Sequence, residues 1–202
     1  MNSECKPLDI SKIQLLLRNE REKKKEISLK LRYRELKKAA ILIPIVCVNG
    51  HWSLLFTRRA ETLRNHRGQV SFPGGGMDNQ DKSPEETALR EAHEEIGLEY
   101  SDVQIIGNMP DFITISDFLV TPVVCYINWP VPLEISTDEV VRVFTIPIDW
   151  LRNTDNWEER LVFQTNGSSG KVIYFNLFDD ELLWGISAKI TIDLLKILDK
   201  II

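Results

Sequence analysis

Cysteine and histidine are both scarce in this chain of 202 residues, which holds three of each. The spacing of Cys5, Cys47 and Cys125 matches neither a zinc site nor an even set of disulfides. We therefore expect no zinc finger and no disulfide framework. The first residues also lack the apolar stretch of a secretory signal, so the sequence favours a reducing, cytoplasmic location.

Long uninterrupted hydrophobic runs, internal repeats and low-complexity segments are also missing. The segment 39–56 is almost uncharged, but Pro44 and the sequence Asn49-Gly50-His51 interrupt it. An Asn-Gly pair between two apolar runs is typical of a tight hairpin turn. This segment therefore predicts strands at about 40–48 and 52–58, and we expect no membrane partner.

Positive charge is concentrated at one end of the chain. Residues 1–40 hold 12 Lys or Arg against 6 Asp or Glu, a balance of +6, and the remainder holds 13 against 24, a balance of −11. An acidic body of this kind argues against a nucleic-acid partner. The overall composition, 43% hydrophobic and 27% charged, is that of an ordinary globular protein.

The hydrophobic periodicity divides the chain into a helical extension, residues 1–38, and a main domain, residues 39–202. From about Leu8 to Lys38 the pattern is helical, with apolar residues at Ile10, Ile13, Leu16 and Leu17. The charged run 21–26 within it predicts a solvated face, with a binding role as the alternative. Further strands are expected at 70–72, 103–106, 120–127, 140–146 and 172–177, and helices at 147–152 and from about 185 to 202. Strands mixed with helices predict an α/β or α+β sandwich.

One helix is marked at both ends. Ser83 is a suitable N-cap, Pro84 fits the first helical position, and Glu86 completes a capping box. Gly97 is placed to end the helix in a left-handed conformation. The sequence therefore predicts a helix over about 84–96.

This helix carries an unusual concentration of carboxylates. Glu91, Glu94 and Glu95 are spaced at i, i+3 and i+4, so they project within one sector and repel one another. A cation would neutralise them, and oxygen ligands select hard ions such as Mg²⁺ or Mn²⁺. Arg90 is placed to anchor one carboxylate. The alternative interpretation is a solvated helix rich in glutamate.

The residues before the helix strengthen the metal interpretation. A short strand enters the sequence Pro73-Gly74-Gly75-Gly76, and glycines let the backbone approach a metal or a phosphate closely. With the helix that follows, this arrangement resembles the signature box of the Nudix hydrolases. The matching positions are Gly76, Arg90, Glu91, Ala92, Glu94, Glu95, Gly97 and Leu98. One position departs from the box: it requires Glu at 82, where this chain has Lys82, with Asp78 and Asp81 close by.

A second stretch, LLFTRRAETLRNHRGQVSFPGG at 54–75, is similar to an additional signature of the coenzyme A diphosphatase branch of that family. That branch also tends to carry aspartates after the glycines. Weaker similarity extends through 119–127, 136–147 and 182–190. The resemblance thus covers roughly residues 38–190.

The resemblance implies a Nudix-type α/β/α sandwich with a mixed sheet and an added N-terminal helix. It implies hydrolysis of coenzyme A, or an acylated form, to 3′,5′-ADP and a 4′-phosphopantetheine product. A bound Mg²⁺ or Mn²⁺ would polarise the diphosphate and activate the attacking water. The expected metal ligands are Glu91 and Glu95, then Glu94, with a carbonyl of Gly75 or Gly76. The expected catalytic residues are Arg90, Glu91, Glu94 and Glu95, with Glu139 as base or auxiliary ligand or, alternatively, a surface residue.

Cations upstream of the box would bind the phosphates of this small-molecule substrate, because arginine can bind phosphate through two parallel hydrogen bonds. The candidates are Arg58, Arg59, Arg64, His66 and Arg67, with Gln69 orienting the ligand. An exposed basic loop is the alternative. Two other functions stay open: a Nudix hydrolase of ADP-ribose, NADH or a dinucleoside polyphosphate, and an inactive nucleotide-binding regulator. The oligomeric state is open as well, a homodimer being one option.

Overall fold

The computed structural model describes residues 4–28, 36–62, 67–163 and 169–201 of the chain. These ranges contain four α-helices and ten β-strands, joined by loops and two short 3-10 turns. The helices are α1 (Ile10–Ser28), α2 (Pro84–Ile96), α3 (Ile148–Arg152) and α4 (Gly185–Leu198). The strands are β1 (Lys37–Val48), β2 (His51–Arg59), β3 (Val70–Ser71), β4 (Gly74–Gly76), β5 (Val103–Asn108), β6 (Phe112–Ile113), β7 (Phe118–Ile127), β8 (Val140–Pro147), β9 (Trp157–Phe163) and β10 (Ser169–Phe175).

The main sheet is mixed, as expected. Its strands run in the order β3-β2-β1-β7-β5, with β4 on β1, β6 on β7 and β8 on β2. β1 lies parallel to β7 and antiparallel to β2 and β4. β9 and β10 form a separate antiparallel pair. Because β4 joins β1 at Ala39–Ile41, the three glycines lie at the end of the sheet where β1 begins.

Helices cover both faces of the main sheet. Successive strand residues point to opposite faces, and on β1 Leu42 packs with Ala88 and Ala92 of α2. Ile43 instead packs with Leu17 of α1 and with residues of α4, in the larger core cluster. The predicted α/β/α sandwich is confirmed. The helix that carries the carboxylates therefore has one layer to itself.

The hairpin turn and most of the predicted elements are also confirmed. Asn49 and Gly50 both have positive φ, 50° and 82°, as a tight hairpin turn of this type requires. The helices α2, α3 and α4 and the strands β1, β2, β3, β5, β7, β8 and β10 lie where the pattern predicts them, with ends shifted by a few residues. The described part of the charged run, residues 21–24, is exposed.

The N-terminal helix is shorter than predicted. It is described as Ile10–Ser28 and does not reach Lys38, because Lys37 and Lys38 belong to β1, where they pair with Phe118 and Leu119 of β7. Residues 29–35 lie outside the described ranges. Strand pairing outweighs the helical periodicity at these two lysines because they extend an apolar strand that is paired on both sides. The division of the chain at residue 38 stays a prediction.

The sequence pattern also missed β9. Of its residues Trp157–Phe163, only Trp157 is partly buried and the rest are exposed. In the described part of the chain they pair only with β10. A strand without a buried face shows no alternation of apolar and polar residues, and alternation is the signal used to predict strands. None of the described helices is long and apolar enough to cross a membrane.

The structure contains one disulfide, although the spacing of the cysteines predicted no disulfide framework. Cys5 and Cys47 form a disulfide across 42 positions of sequence, whereas Cys125 is free and buried. The N-terminal segment passes over the end of β1 and brings Cys5 to Cys47, a contact that spacing alone does not reveal. The cysteine count therefore no longer supports a reducing location, and the cytoplasmic location remains a prediction.

Two leucines of α1 allow its packing against the sheet to be tested. Leu17 is 1% exposed and belongs to the main core, whereas Leu15, two positions away, is 57% exposed. Leu17→Ala should reduce the free energy of unfolding by about 2–5 kcal/mol, because it leaves a cavity in the core. Leu15→Ala should change it by less than about 0.5 kcal/mol. Urea unfolding of both variants measures this, and equal effects would show that α1 does not contribute to the core.

Candidate active site

The helix α2 is held at both ends, which fixes where its carboxylates project. At its start, the Ser83 hydroxyl accepts a hydrogen bond from the Glu86 amide at 3.3 Å. At its end, Gly97 is left-handed with φ of 65°, and a Cβ there would lie 2.6 Å from the Glu134 nitrogen. The Glu134 amide in turn donates to the Ile96 carbonyl at 3.0 Å. The close approach permitted by Gly97 therefore anchors the segment beginning at Glu134 to the helix.

Glu95 is a buried carboxylate, 2% exposed, at the junction of α2 and the glycine turn. It accepts hydrogen bonds from the Arg59 guanidinium and from the Gly74 amide, each at 3.1 Å. Burial raises its pKa to about 7 despite these two donors, and the negative charges of Glu91 and Glu139 raise it further. A divalent cation would remove this electrostatic cost.

Glu91 lies one turn earlier and directly against the glycine turn. A Cβ on Gly75 would lie 2.4 Å from the Glu91 Oε2 atom, so a larger residue at this position would displace the Glu91 carboxylate. Burial raises the pKa of Glu91, and Glu94 and Glu139 raise it further. The backbone of Gly75 and the carboxylate of Glu91 are thus brought together as the sequence predicted.

Arg90 connects this glycine turn to the carboxylates. Its guanidinium donates to the Gly76 carbonyl at 2.9 Å and to the Glu94 carboxylate at 2.9 Å. It also forms an ion pair with Glu91 at 2.9 Å. Two further bonds, at 3.1 and 3.0 Å, run to the two oxygens of Asp81. One side chain therefore fixes the glycine turn, Asp81 and α2 relative to one another.

Asp81 explains how this chain tolerates Lys82. The Asp81 side chain is 6% exposed, and it accepts hydrogen bonds from the Thr87 hydroxyl and the Asp78 amide as well as from Arg90. The bonds from Arg90 lower the pKa of Asp81 to about 2. Lys82 itself is exposed, and its amide donates to Glu86. Asp81 is thus the carboxylate that holds Arg90.

The remaining two predicted carboxylates, Glu94 and Glu139, lie at the edge of the site formed by Glu91 and Glu95. The side chain of Glu94 is 53% exposed and pairs with Arg90. Glu139 is half-buried, and its negative charge raises the pKa of both Glu91 and Glu95, which places it near them. Its backbone carbonyl accepts from the Ala60 amide at 2.8 Å, linking the start of β8 to the end of β2.

The donor set suits a hard divalent cation. Glu91 and Glu95 provide carboxylate oxygens whose pKa values are raised chiefly by burial, and Gly75 provides backbone beside Glu91. Within the described ranges, no three acidic, histidine or cysteine side chains already converge as a metal site. Arg59 pairs with Glu95, and Arg90 pairs with Glu91.

The two arginines at the end of β2 have different surroundings. Arg59 lies on the face of α2 and pairs with Glu95. Arg58 points to the opposite face, where it pairs with Glu61 at 3.1 Å and with the buried Glu181 at 3.8 Å. Neighbouring residues of a strand point to opposite faces of the sheet. Arg58 and Arg59 therefore do not lie at one site. Their predicted contacts with substrate remain predictions.

The rest of the predicted phosphate-binding residues lie in the loop between β2 and β3. Gln69 is described, and its carbonyl accepts from the Arg59 amide at 3.0 Å. Arg67 is also described and lies two residues earlier. Arg64 and His66 fall outside the described residues. The Gly74 amide on Glu95 is a contact that the sequence analysis did not predict, although the run of glycines is the signal that could have indicated it.

Carboxylates on one helix, joined through an arginine to a glycine turn in an α/β/α sandwich, define a class of metal-dependent hydrolases that act on diphosphates. Comparison with known proteins agrees. The family model described as "NUDIX domain" matches residues 36–165. The chain therefore belongs to the Nudix family and is a Nudix hydrolase. Members of this family generally use divalent metal ions.

Two similar relatives are both named "Uncharacterized Nudix hydrolase NudL". The one from Photorhabdus laumondii is 38% identical over 75% of this chain and 80% of its own length. The one from Pectobacterium atrosepticum is 38% identical over 76% of this chain and 79% of its own length. A solved structure, a MutT/nudix family protein from Enterococcus faecalis, has a TM-score of 0.54 at 14% identity, covering 87% of this chain and 69% of that one. It supports the fold.

The raised pKa of Glu95 predicts how stability depends on pH in metal-free protein. The pKa rises from its ordinary 4.5 to about 7 on folding. Its contribution to stability is therefore fully present below about pH 4.5 and is lost as the pH rises through about 7. Glu95→Gln should lack this loss. As the pH rises from 5 to 8, the free energy of unfolding of the variant should therefore increase relative to that of wild type. Urea unfolding with a chelator measures this, with Glu94→Gln, an exposed carboxylate on the same helix, as control. Parallel pH curves for all three proteins would contradict the prediction.

Asp81 can be tested against its exposed neighbour. Asp81→Asn keeps the shape of the side chain but removes the charge that holds Arg90. Groups that orient metal ligands typically contribute 10- to 100-fold to activity, so we expect a loss of roughly that size on any diphosphate substrate. Lys82→Ala should stay within about twofold of wild type, because its side chain is exposed. Steady-state kinetics over a range of metal concentrations checks this. Equal activity of Asp81→Asn and wild type would exclude the role.

Proposed function

We propose that this Nudix hydrolase cleaves the diphosphate of coenzyme A or an acyl form of it, giving 3′,5′-ADP and (acyl-)4′-phosphopantetheine. The observation that carries the proposal is the position of the segment 54–75, whose sequence resembles the coenzyme A diphosphatase signature. Two of its residues, Arg59 and Gly74, contact the same carboxylate, each at 3.1 Å from Glu95. The segment that would read the substrate therefore adjoins the residues that would cleave it.

The proposed cation is Mg²⁺ or Mn²⁺, held by Glu91 and Glu95 with Glu94 and a carbonyl of Gly75 or Gly76. A cation bound there would polarise the diphosphate and favour attack by water. Arg90 would remain on Asp81 and Gly76 while its bonds to the glutamates give way to the ion. Because Asp81 holds Arg90 through both of its oxygens, Arg90 keeps its position without the glutamates.

Glu139 is our candidate for the base or an auxiliary ligand. It is half-buried, comes from the start of β8 rather than from α2, and raises the pKa of both Glu91 and Glu95. A carboxylate in this position could accept a proton from the attacking water without belonging to the helix that would hold the metal.

The central test is a substrate panel with Mg²⁺ and with Mn²⁺, the products being resolved by chromatography. We expect 3′,5′-ADP from coenzyme A, with slower turnover of ADP-ribose, NADH and dinucleoside polyphosphates. Glu95→Gln should lower activity on every substrate by more than about a hundredfold. Preferred cleavage of another member of the panel would refute the proposed substrate, whereas the absence of turnover on all of them would favour an inactive binding protein.

A substitution at Arg67 tests whether this loop binds the ribose 3′-phosphate of coenzyme A. A charge-assisted contact contributes about 1.5–3 kcal/mol, so Arg67→Ala should lower kcat/KM for coenzyme A roughly ten- to a hundredfold more than for 3′-dephospho-coenzyme A. Arg64→Ala tests the same role. Arg160→Ala, which removes an exposed arginine on β9, is the matched control and should affect neither substrate. Equal losses on the two substrates would show that this loop does not read the 3′-phosphate.

A further inference from the structure

The Cys5–Cys47 disulfide forms part of the wall of a cavity of about 550 Å³, far from the carboxylates. Ala40, beside the glycine turn, and Cys47 are seven residues apart on β1. At about 3.3 Å per residue this separates the two places by roughly 23 Å. The cavity has the size of an ordinary small-molecule site, and nothing in the proposed hydrolysis uses it.

The lining of this cavity is aromatic, amide-rich and nearly uncharged. Trp52, Tyr126 and Trp129 provide aromatic surface, and Asn49 and Asn128 provide side-chain amides that can donate and accept hydrogen bonds. Glu4 is the one charged side chain among the described lining residues. Such a lining favours a neutral ligand that carries amide groups and disfavours an anion.

The disulfide itself is open to attack from the cavity. Cys5 and Cys47 are both partly exposed, and the Cys5 amide donates to the Cys47 sulfur at 3.1 Å. A hydrogen bond of this kind stabilises Cys47 as a thiolate, and a better leaving thiolate speeds thiol–disulfide exchange. The third cysteine does not compete, because Cys125 is fully buried and burial raises the pKa of its thiol.

We propose that this cavity is a thiol-exchange site that takes the uncharged, diamide arm of a pantetheine-type thiol. The entering thiolate bonds to the Cys5 sulfur, the Cys5–Cys47 bond breaks, and Cys47 leaves as a thiolate that takes up the proton of the entering thiol. No external oxidant is needed. That the arm belongs to a substrate or product of this enzyme rests on the proposed function, whereas the exchange itself does not.

Opening the disulfide would release the N-terminal segment, from Cys5 to Asp9, that precedes α1. Cys5 lies five residues before Ile10, the first residue of the helix, and the Lys6 carbonyl accepts from the Trp52 indole at 3.0 Å. Farther along, the Ile13 amide donates to the Asp9 carbonyl, and its side chain is fully buried in the core. Exchange would therefore loosen the first turn of α1 while the core contacts of the helix remain.

The test treats native, metal-free protein with reduced pantetheine, coenzyme A or glutathione at equal thiolate concentrations, followed by acid quenching, intact mass and peptide mapping. We expect one mixed disulfide, on Cys5, formed at least about tenfold faster with pantetheine, and with coenzyme A, whose phosphates lie at the far end of the same arm, than with glutathione, whose carboxylates lie close to its thiol. Hydrogen exchange of the Ile13 amide should accelerate in the modified protein. Equal rates for all three thiols, an adduct on Cys125 alone, or no adduct would each overturn the proposal.

A variant separates recognition from simple exposure of the disulfide. Trp129→Ala should bring the pantetheine and glutathione rates to within about twofold of each other. Tyr100→Ala removes an exposed aromatic ring elsewhere and should leave the ratio as in wild type. An unchanged ratio in Trp129→Ala would refute the role of the aromatic lining. The mass measurement detects the mixed disulfide in metal-free protein and does not depend on hydrolysis of the diphosphate. Failure of this test can therefore be distinguished from failure of the substrate panel.

Discussion

The guanidinium of Arg90 is the contact on which the active site depends. It joins three parts of the chain that are separate in sequence: the Gly76 carbonyl, the Asp81 carboxylate and the glutamates of its own helix. Arginine has five donors in a fixed planar arrangement, which lysine lacks. The glycine turn is therefore held at a set distance from Glu91 and Glu95 before any cation binds.

The sheet beneath supplies the second constraint. β1 pairs with β7 over ten positions in parallel, and its first residues also pair with the glycines of β4. The glycine turn is thus continuous with the most extensively paired strand of the sheet. Glu95 is buried at this junction, where the Arg59 side chain and the Gly74 amide offset part of the cost of burying its charge. The site combines a rigid support with carboxylates that are costly to ionise.

Much of this could be predicted from local sequence. The Ser83 and Gly97 caps of α2 and the Asn49-Gly50 turn are signals carried by a few neighbouring residues, and each is confirmed. The Glu86 side chain of the predicted capping box instead accepts from the Lys82 amide, and the metal role of Glu91, Glu94 and Glu95 stays a prediction. Contacts between distant residues carried no such signal. The Cys5–Cys47 bond depends on how the N-terminal segment lies against β1, and β9, which is exposed after Trp157, has no buried face to reveal a strand.

The pairing of Asp81 with Arg90 also bears on how enzymes of this kind are recognised. Aspartate is one methylene shorter than glutamate, yet from a position one residue earlier it reaches the guanidinium with both oxygens. A buried carboxylate beside Arg90 can therefore come from position 81 as well as from the position that the box gives to glutamate. A search that demands a fixed spacing would pass over such a chain, whereas a search for the ion pair in three dimensions would find it.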